Sequence, residues 1–242
     1  MEITKETVIG ELVAKDYKTA SVFKKYGIDF CCQGNRNIDN ACTAKNVDAT
    51  QLLADLNALS ENNGVKVMND YNSWDLDLLA DYIEKRHHRF VEEKITEIMP
   101  YLEKVTRVHG KHHPELVQVL ELFNESVGNL TQHMKKEELM LFPFIRKMVD
   151  AKRKNAPLER RPHFGTVENP VDAMMHEHTR EGEIYREISE LTNGYETPED
   201  GCNTYRVTLN LLREFEDDLH LHIHLENNIL FPKAVALEKT LN

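Results

Sequence analysis

The stretch HMKKEELMLFP, His133 to Pro143, is written a second time as HIHLENNILFP, His222 to Pro232. Both copies fit H-x-x-x-E-x-x-x-L-F-P: His133, Glu137, Leu141, Phe142 and Pro143, then His222, Glu226, Leu230, Phe231 and Pro232, 89 residues on. Residues i and i+4 of an α-helix share one face, with Cβ atoms roughly 5–6 Å apart. A histidine and a glutamate so spaced can reach one metal ion, or two ions with the carboxylate between them. A single such pair is usually a solvated helix pair worth a few tenths of a kcal/mol. A duplicated pair with a shared continuation needs another explanation.

The duplication extends upstream. His88 and His178 lie 90 residues apart on earlier helical segments, 45 and 44 residues ahead of His133 and His222. The periodicity predicts four long helices, at about Ser73–Val108, Pro114–Lys152, Pro170–Thr192 and Cys202–Leu237. They form two helical hairpins, each giving one histidine from its first helix and a His–Glu pair from its second. Ser73 is read as an N-cap and Pro114 as a first-turn residue. The Leu-Phe of each motif reads as core, and its proline as a kink.

Packed face to face, the hairpins bring together four imidazoles and two carboxylates. Six donors are too many for one tetrahedral zinc. They suit two ions, each with two imidazoles and both sharing the carboxylates. An oxo or hydroxo bridge then leaves each ion five-coordinate, with room for a small ligand. Mixed imidazole and carboxylate donors suit iron first and manganese next. Of the neighbouring histidines, only His222 stands four residues before Glu226; His220 and His224 point about 200° away. The repeat favours His178 over His176. Periodicity leaves His87 and His88 open. His109, His112 and His113 fall at a helix end, and Glu138 and Glu177 read as surface carboxylates.

Ahead of the hairpins, residues 4–26 read as short helices ending at Gly27, followed by a loop over IDFCCQGNRNIDNA and a helix over DATQLLADLNALS capped by Asp48. A polar linker at 61–73 divides a small helical domain, 1–62, from the bundle, 73–240. The loop carries adjacent Cys31 and Cys32. A disulfide between neighbours strains the peptide, which leaves two readings, a thiol site or two small buried residues. Cys42 and Cys202 read as ordinary buried thiols. A second long loop, at 151–170, is given no function.

The remaining composition removes function classes. With 30 basic against 41 acidic side chains the net charge is −11, so no basic excess exists to neutralise phosphates and nucleic acid is excluded. No apolar run approaches the roughly 20 residues that span a bilayer, and the N-terminus lacks a signal-peptide core; a cytoplasmic, membrane-free protein is expected. Four scattered cysteines make no disulfide framework.

These residues resemble a known family. The four-helix part resembles hemerythrin-like domains, which hold a non-haem di-iron centre. Together with YGIDFCCQGN, Tyr26–Asn35, and with HEHTREG from His176, the chain resembles the iron–sulfur cluster repair di-iron proteins of bacteria, the repair-of-iron-centres family. The resemblance implies an all-α fold: a hemerythrin-like antiparallel four-helix bundle with a small N-terminal helical domain. It places the metal ligands at His88, His133, Glu137, His178, His222 and Glu226, the two glutamates bridging; RHH at 86–88 selects His88 over His87. It implies two non-haem irons with an oxo or hydroxo bridge, reactive thiols at Cys31 and Cys32, and a homodimer. It also implies damaged iron–sulfur proteins as partners under oxidative or nitrosative stress. Iron supply is the leading function. Nitric oxide reduction, or binding and sensing of nitric oxide or oxygen at the centre, is the alternative.

Overall fold

A computed structural model describes residues 3–61, 70–158 and 162–241. Among these the chain is helical throughout, and its one extended pairing is an isolated bridge between Val8 and Asn37. Among the described residues no helix is long and apolar enough to cross a membrane.

The N-terminal part holds α1 (Ile9–Lys15), α2 (Thr19–Lys25), α3 (Ile38–Lys45) and α4 (Ala49–Glu61). Gly27, at φ 64°, closes α2: its N–H donates to the Lys24 carbonyl, and the Ile28 N–H reaches back to Phe23. This is the Schellman arrangement, which needs a left-handed residue. The Asp48 carboxylate caps α4 by accepting from the Thr50 N–H at 2.8 Å. The loop expected through Ala41 is shorter, because Asn37 caps α3 by accepting from the Asn40 N–H at 2.8 Å. The cap was legible as an Asn before an apolar Ile, but the surrounding polar run hid it.

Of the expected linker at 61–73, residues 62–69 lie outside the described residues. Ser73 is not a helix cap. Tyr71–Ser73 form a 3₁₀ turn, and α5 starts at Leu76 behind Asp75. Tyr71, Trp74 and Tyr82 pack their rings together at 4.9–5.5 Å and hold this turn off the helix axis.

Four long rods follow. The first is α5 (Leu76–Tyr82), a π-helical turn at Ile83–His88, and α6 (Arg89–His109). The second is α7 (Glu115–Lys136), a π turn at Glu137–Leu141, and α8 (Phe142–Arg153). The third is α9 (Glu168–Leu191). The fourth is α10 (Asn203–Leu225), a π turn at Glu226–Leu230, and α11 (Phe231–Leu241). The rods pack as an antiparallel bundle, with α6 against α7 and α10, and α7 against α9. Pro143 and Pro232 fall in the first turn of α8 and α11. A proline offers no N–H and presses on the carbonyl four residues back; the wider π turn just before it relieves that contact.

The apolar core is divided. One cluster runs from the N-terminal helices down the bundle and includes Phe123, Tyr185 and Phe215. The other includes Phe142, Phe231, Met148 and Tyr71. A layer of buried histidines and glutamates separates the two.

Candidate metal centre

The structure brings the six ligand candidates into that layer as two groups. His88, His222, Glu137 and Glu226 form one, and His133, His178, Glu137 and Glu226 the other; within each, the donor atoms lie within 4.8 Å of one another. Each group takes one imidazole from each hairpin, and both contain both carboxylates. His87, His176, His220 and His224 belong to neither. Three of the six sit on or at π turns, where the widened backbone re-aims side chains.

Both glutamates and all four imidazoles are at most 2% exposed. Buried polar atoms are normally hydrogen-bonded. Here both oxygens of Glu137 and of Glu226, with Nε2 of His88 and His222, have no hydrogen-bond partner. The tautomers sharpen the point. His133 Nδ1 faces Glu177 at 2.9 Å, His178 Nδ1 faces the Asn227 amide oxygen at 2.8 Å, and His88 Nδ1 faces Glu138 at 3.0 Å. Each Nδ1 must donate, so each Nε2 is a bare lone pair in the neutral ring. His133 Nε2 and His178 Nε2 lie 3.0 Å apart, lone pair against lone pair. His88 Nε2 and His133 Nε2 each stand 3.3 Å from Glu137, and His178 Nε2 and His222 Nε2 each 3.2 Å from Glu226. Positive charge placed among these atoms would satisfy them together, and the donor set fits cations.

The electrostatics agree. Burial pushes the His133 imidazole down, but the nearby charge of Glu137 and the hydrogen bond to Glu177 overcome it and hold it up at about 10. Burial alone would raise the Glu226 carboxyl; His222 and His178 reverse this and hold it well below the usual range. Glu137 is lowered in the same way, against burial and Glu226, by His133 and His88.

Two readings of the outer residues need correction. Glu138 and Glu177 are not merely surface carboxylates: they accept from His88 and His133, and Lys135 and Lys136 hold them in turn. Such partners fix the ring and raise ligand basicity. Asn227 was missed, although it follows Glu226 as Glu138 follows Glu137, and the repeat predicts its place. The Phe of each motif is also more than filling. Phe142 stacks on His88 at 5.6 Å, and Phe231 on His178 at 6.0 Å.

Cys31 and Cys32 lie against this centre. The Cys32 thiol donates to the His178 carbonyl at 3.2 Å, and the Asn227 amide donates to the Cys31 carbonyl at 3.2 Å. His220 and His224, on the outer face of α10, pack on Phe30 of the same loop. Gly10 and Gly34 have no room for a Cβ beside Asn228, whose amide donates to the Phe30 carbonyl. The Cys31 thiol is pushed well above its usual range, first by its contact with Cys32 and then by burial and the Asp29 charge. Cys42 is buried as expected, but Cys202 is exposed. It precedes α10 with Sγ 3.2 Å from His109 Nε2, and backbone N–H groups of that helix start, with His109, lower it to about 7.

A helical bundle with paired His/Glu groups buried between its rods is the design of a hemerythrin-type cation-binding protein. Residues 79–234 match the hemerythrin HHE cation binding domain, and residues 5–60 match the ScdA_N domain of unknown function. The iron–sulfur cluster repair protein ScdA of Staphylococcus haemolyticus is 33% identical over 96% of this chain and 99% of its own length. The iron–sulfur cluster repair proteins YtfE of Cronobacter sakazakii and Pectobacterium atrosepticum are 33% and 35% identical, over 96% and 95% of this chain and 97% of their own lengths. The chain belongs to the ScdA/YtfE family of iron–sulfur cluster repair proteins.

Proposed function

We propose that this protein repairs damaged iron–sulfur clusters by supplying iron from a pair of ions. His88 and His222 hold one ion, His133 and His178 the other, and Glu137 and Glu226 bridge them. Residues 73–240 form the di-iron bundle, and residues 1–62 present Cys31 and Cys32 to it. The observation that carries the reading is the convergence of buried, unpartnered carboxylate oxygens and imidazole lone pairs between the hairpins. The relatives' shared description as iron–sulfur cluster repair proteins supplies the client class.

When bound, iron brings a redox-dependent affinity: two carboxylates hold a ferric ion more strongly than a ferrous one, by simple charge. The chain's own residues set the rest. Glu138, Glu177 and Asn227 keep the Nδ1 protons in place, so Nε2 stays free to bind. Phe142 and Phe231 shield the rings from water. The Cys31–Cys32 loop sits on His178, where an outgoing ion meets soft donors. A cytoplasmic location keeps these thiols reduced.

Transfer of labelled iron from the purified protein to an apo iron–sulfur protein tests the proposal. Transfer from the reduced protein, faster than from the oxidised one, is expected; no transfer from either state refutes supply. A second reading, nitric oxide reduction, is favoured by one observation: each group offers four protein donors, which leaves positions for a small ligand. Nitrous oxide evolved under turnover with a reductant decides for it.

A further inference from the structure

We propose that Asp29, Cys31 and Cys32 form a separate site for one thiophilic cation, completed by a thiolate of the client protein. That its natural ion is iron rests on the supply reading; that the site exists does not. A tetrahedral ion with metal–sulfur bonds of about 2.3 Å sets its two sulfurs about 3.8 Å apart. Cys31 Sγ and Cys32 Sγ are 3.8 Å apart. With a metal–oxygen bond of about 2.1 Å, the oxygen and each sulfur should be about 3.6 Å apart. Asp29 Oδ1 lies 3.5 Å from Cys31 Sγ. The three donors lie within 4.8 Å of one another.

The loop is built to hold this shape. Asp29 Oδ1 accepts from the N–H groups of Cys31 and Cys32 at 3.1 and 2.9 Å, which fixes the carboxylate as outer hydrogen bonds fix ligating carboxylates elsewhere. Gly182 on α9 leaves the Cys32 sulfur its space: a Cβ there would stand 3.1 Å from it. Other uses of the pair fit less well. A disulfide needs the sulfurs about 2.05 Å apart. A nucleophile needs an accessible thiolate, and Cys31 is buried.

The three donors line a cavity of about 290 Å³, whose wall also carries Lys24, Arg36, Lys45 and Arg186 against Glu190 and Glu216. Arg36, Lys45 and Arg186 give that wall a local cationic excess on a chain of net charge −11, which favours an anionic donor such as a thiolate. The contacts of Cys32 with the His178 carbonyl and of Asn227 with the His178 ring place this site beside the His133/His178 group. The balance is simple. A divalent ion entering displaces two thiol protons to water; when it leaves on client thiolates, both thiols take protons back. No electron moves.

The test uses the full-length, iron-loaded protein without oxygen, with cobalt(II) as the probe and difference spectra as the readout. One further cobalt per chain is expected, with a thiolate-to-cobalt charge-transfer band and the visible bands of tetrahedral cobalt. Cys31→Ser and Cys32→Ser should each lose the charge-transfer intensity, in whole or in large part. Asp29→Asn, which keeps the backbone hydrogen bonds, should weaken cobalt on the order of tenfold or more. Added small thiol, standing in for the client, should strengthen the band. No extra cobalt, cobalt without a thiolate band, or a band untouched by both serine variants overturns the proposal. Iron counted per chain beforehand keeps the two readings apart. His133→Ala should lose about one iron yet retain the cobalt band, and a wild type with its irons but no band sinks only the thiol site.

Discussion

The two hairpins carry one pattern, yet their outer residues differ. Glu138 supports His88, and its counterpart 89 residues on, Asn227, supports His178 with a neutral amide that also reaches the cysteine loop. Glu177 supports His133, but its counterpart 90 residues back is His87, which stacks on His222 at 5.6 Å and bonds Asp218 instead. His222 Nδ1 and His87 Nε2 are both buried without partners. The repeat preserves the inner donors and varies what orients them, so the two donor groups are inequivalent: one is tied to the cysteine loop, the other has an imidazole, His222, without a carboxylate behind it.

The comparison breaks most visibly at the shared carboxylates. Glu226→Ala or Glu137→Ala should take bound iron from about two per chain to near zero, because each serves both groups. His88→Ala and His178→Ala should each leave about one. Colorimetric iron per chain reads this, and a single histidine variant that empties both positions denies that they are separable.

The supports come next. Glu138→Ala and Asn227→Ala should each weaken iron by about 10–100-fold in chelator competition, with the charged support costing more. Asn227→Ala should also speed modification of Cys32, whereas Glu138→Ala should not. Equal thiol reactivity in the two variants would remove the link between loop and centre.

A smaller difference lies farther along the rods. Glu216 occupies the place of Val127 in the first hairpin. Burial, opposed by Lys24, raises its carboxyl to about 7. A carboxyl raised in the folded state binds more protons there than when unfolded, so its contribution is present below about pH 4.5 and fades as pH rises through 7. Stability should fall between about pH 5 and 8, by on the order of 1–3 kcal/mol, and Glu216→Gln should flatten that slope. Urea titration at the two pH values measures it.

The least effect is expected at the helix starts. α7 begins behind Pro114, and α10 behind exposed Cys202. Near neutral pH Cys202 should be alkylated before Cys31 or Cys42, as mass spectrometry of a short iodoacetamide pulse would show. Cys202→Ser should change stability by less than about 0.5 kcal/mol and leave iron content alone. Faster labelling of Cys31 would contradict its burial.

The far-end histidines show what counting residue types cannot reveal. His113 sits between Glu115 and Asp200 at the surface, and His109 reaches Cys202, while the histidines of the centre face carboxylates in a buried layer. The duplicated motif separated these sets, since a helical period and a repeat are written in the chain order. Glu138 and Glu177 were misread because nothing in a single helix says which neighbouring rod faces it. Ser73 was misread because an aromatic cluster displaced the helix start.

By itself the sequence determined the all-α class, the doubled hairpin and the His–Glu spacing, because a 3.6-residue period acts locally along one helix. Only the tertiary structure decided that His88 meets His222 and His133 meets His178, that Asn227 joins the cysteine loop to the centre, and that Cys31 is buried while Cys202 is open. Those relations depend on how separate rods cross and which faces they hide from water, and burial is what turns an ordinary pair of side chains into donors that need a cation.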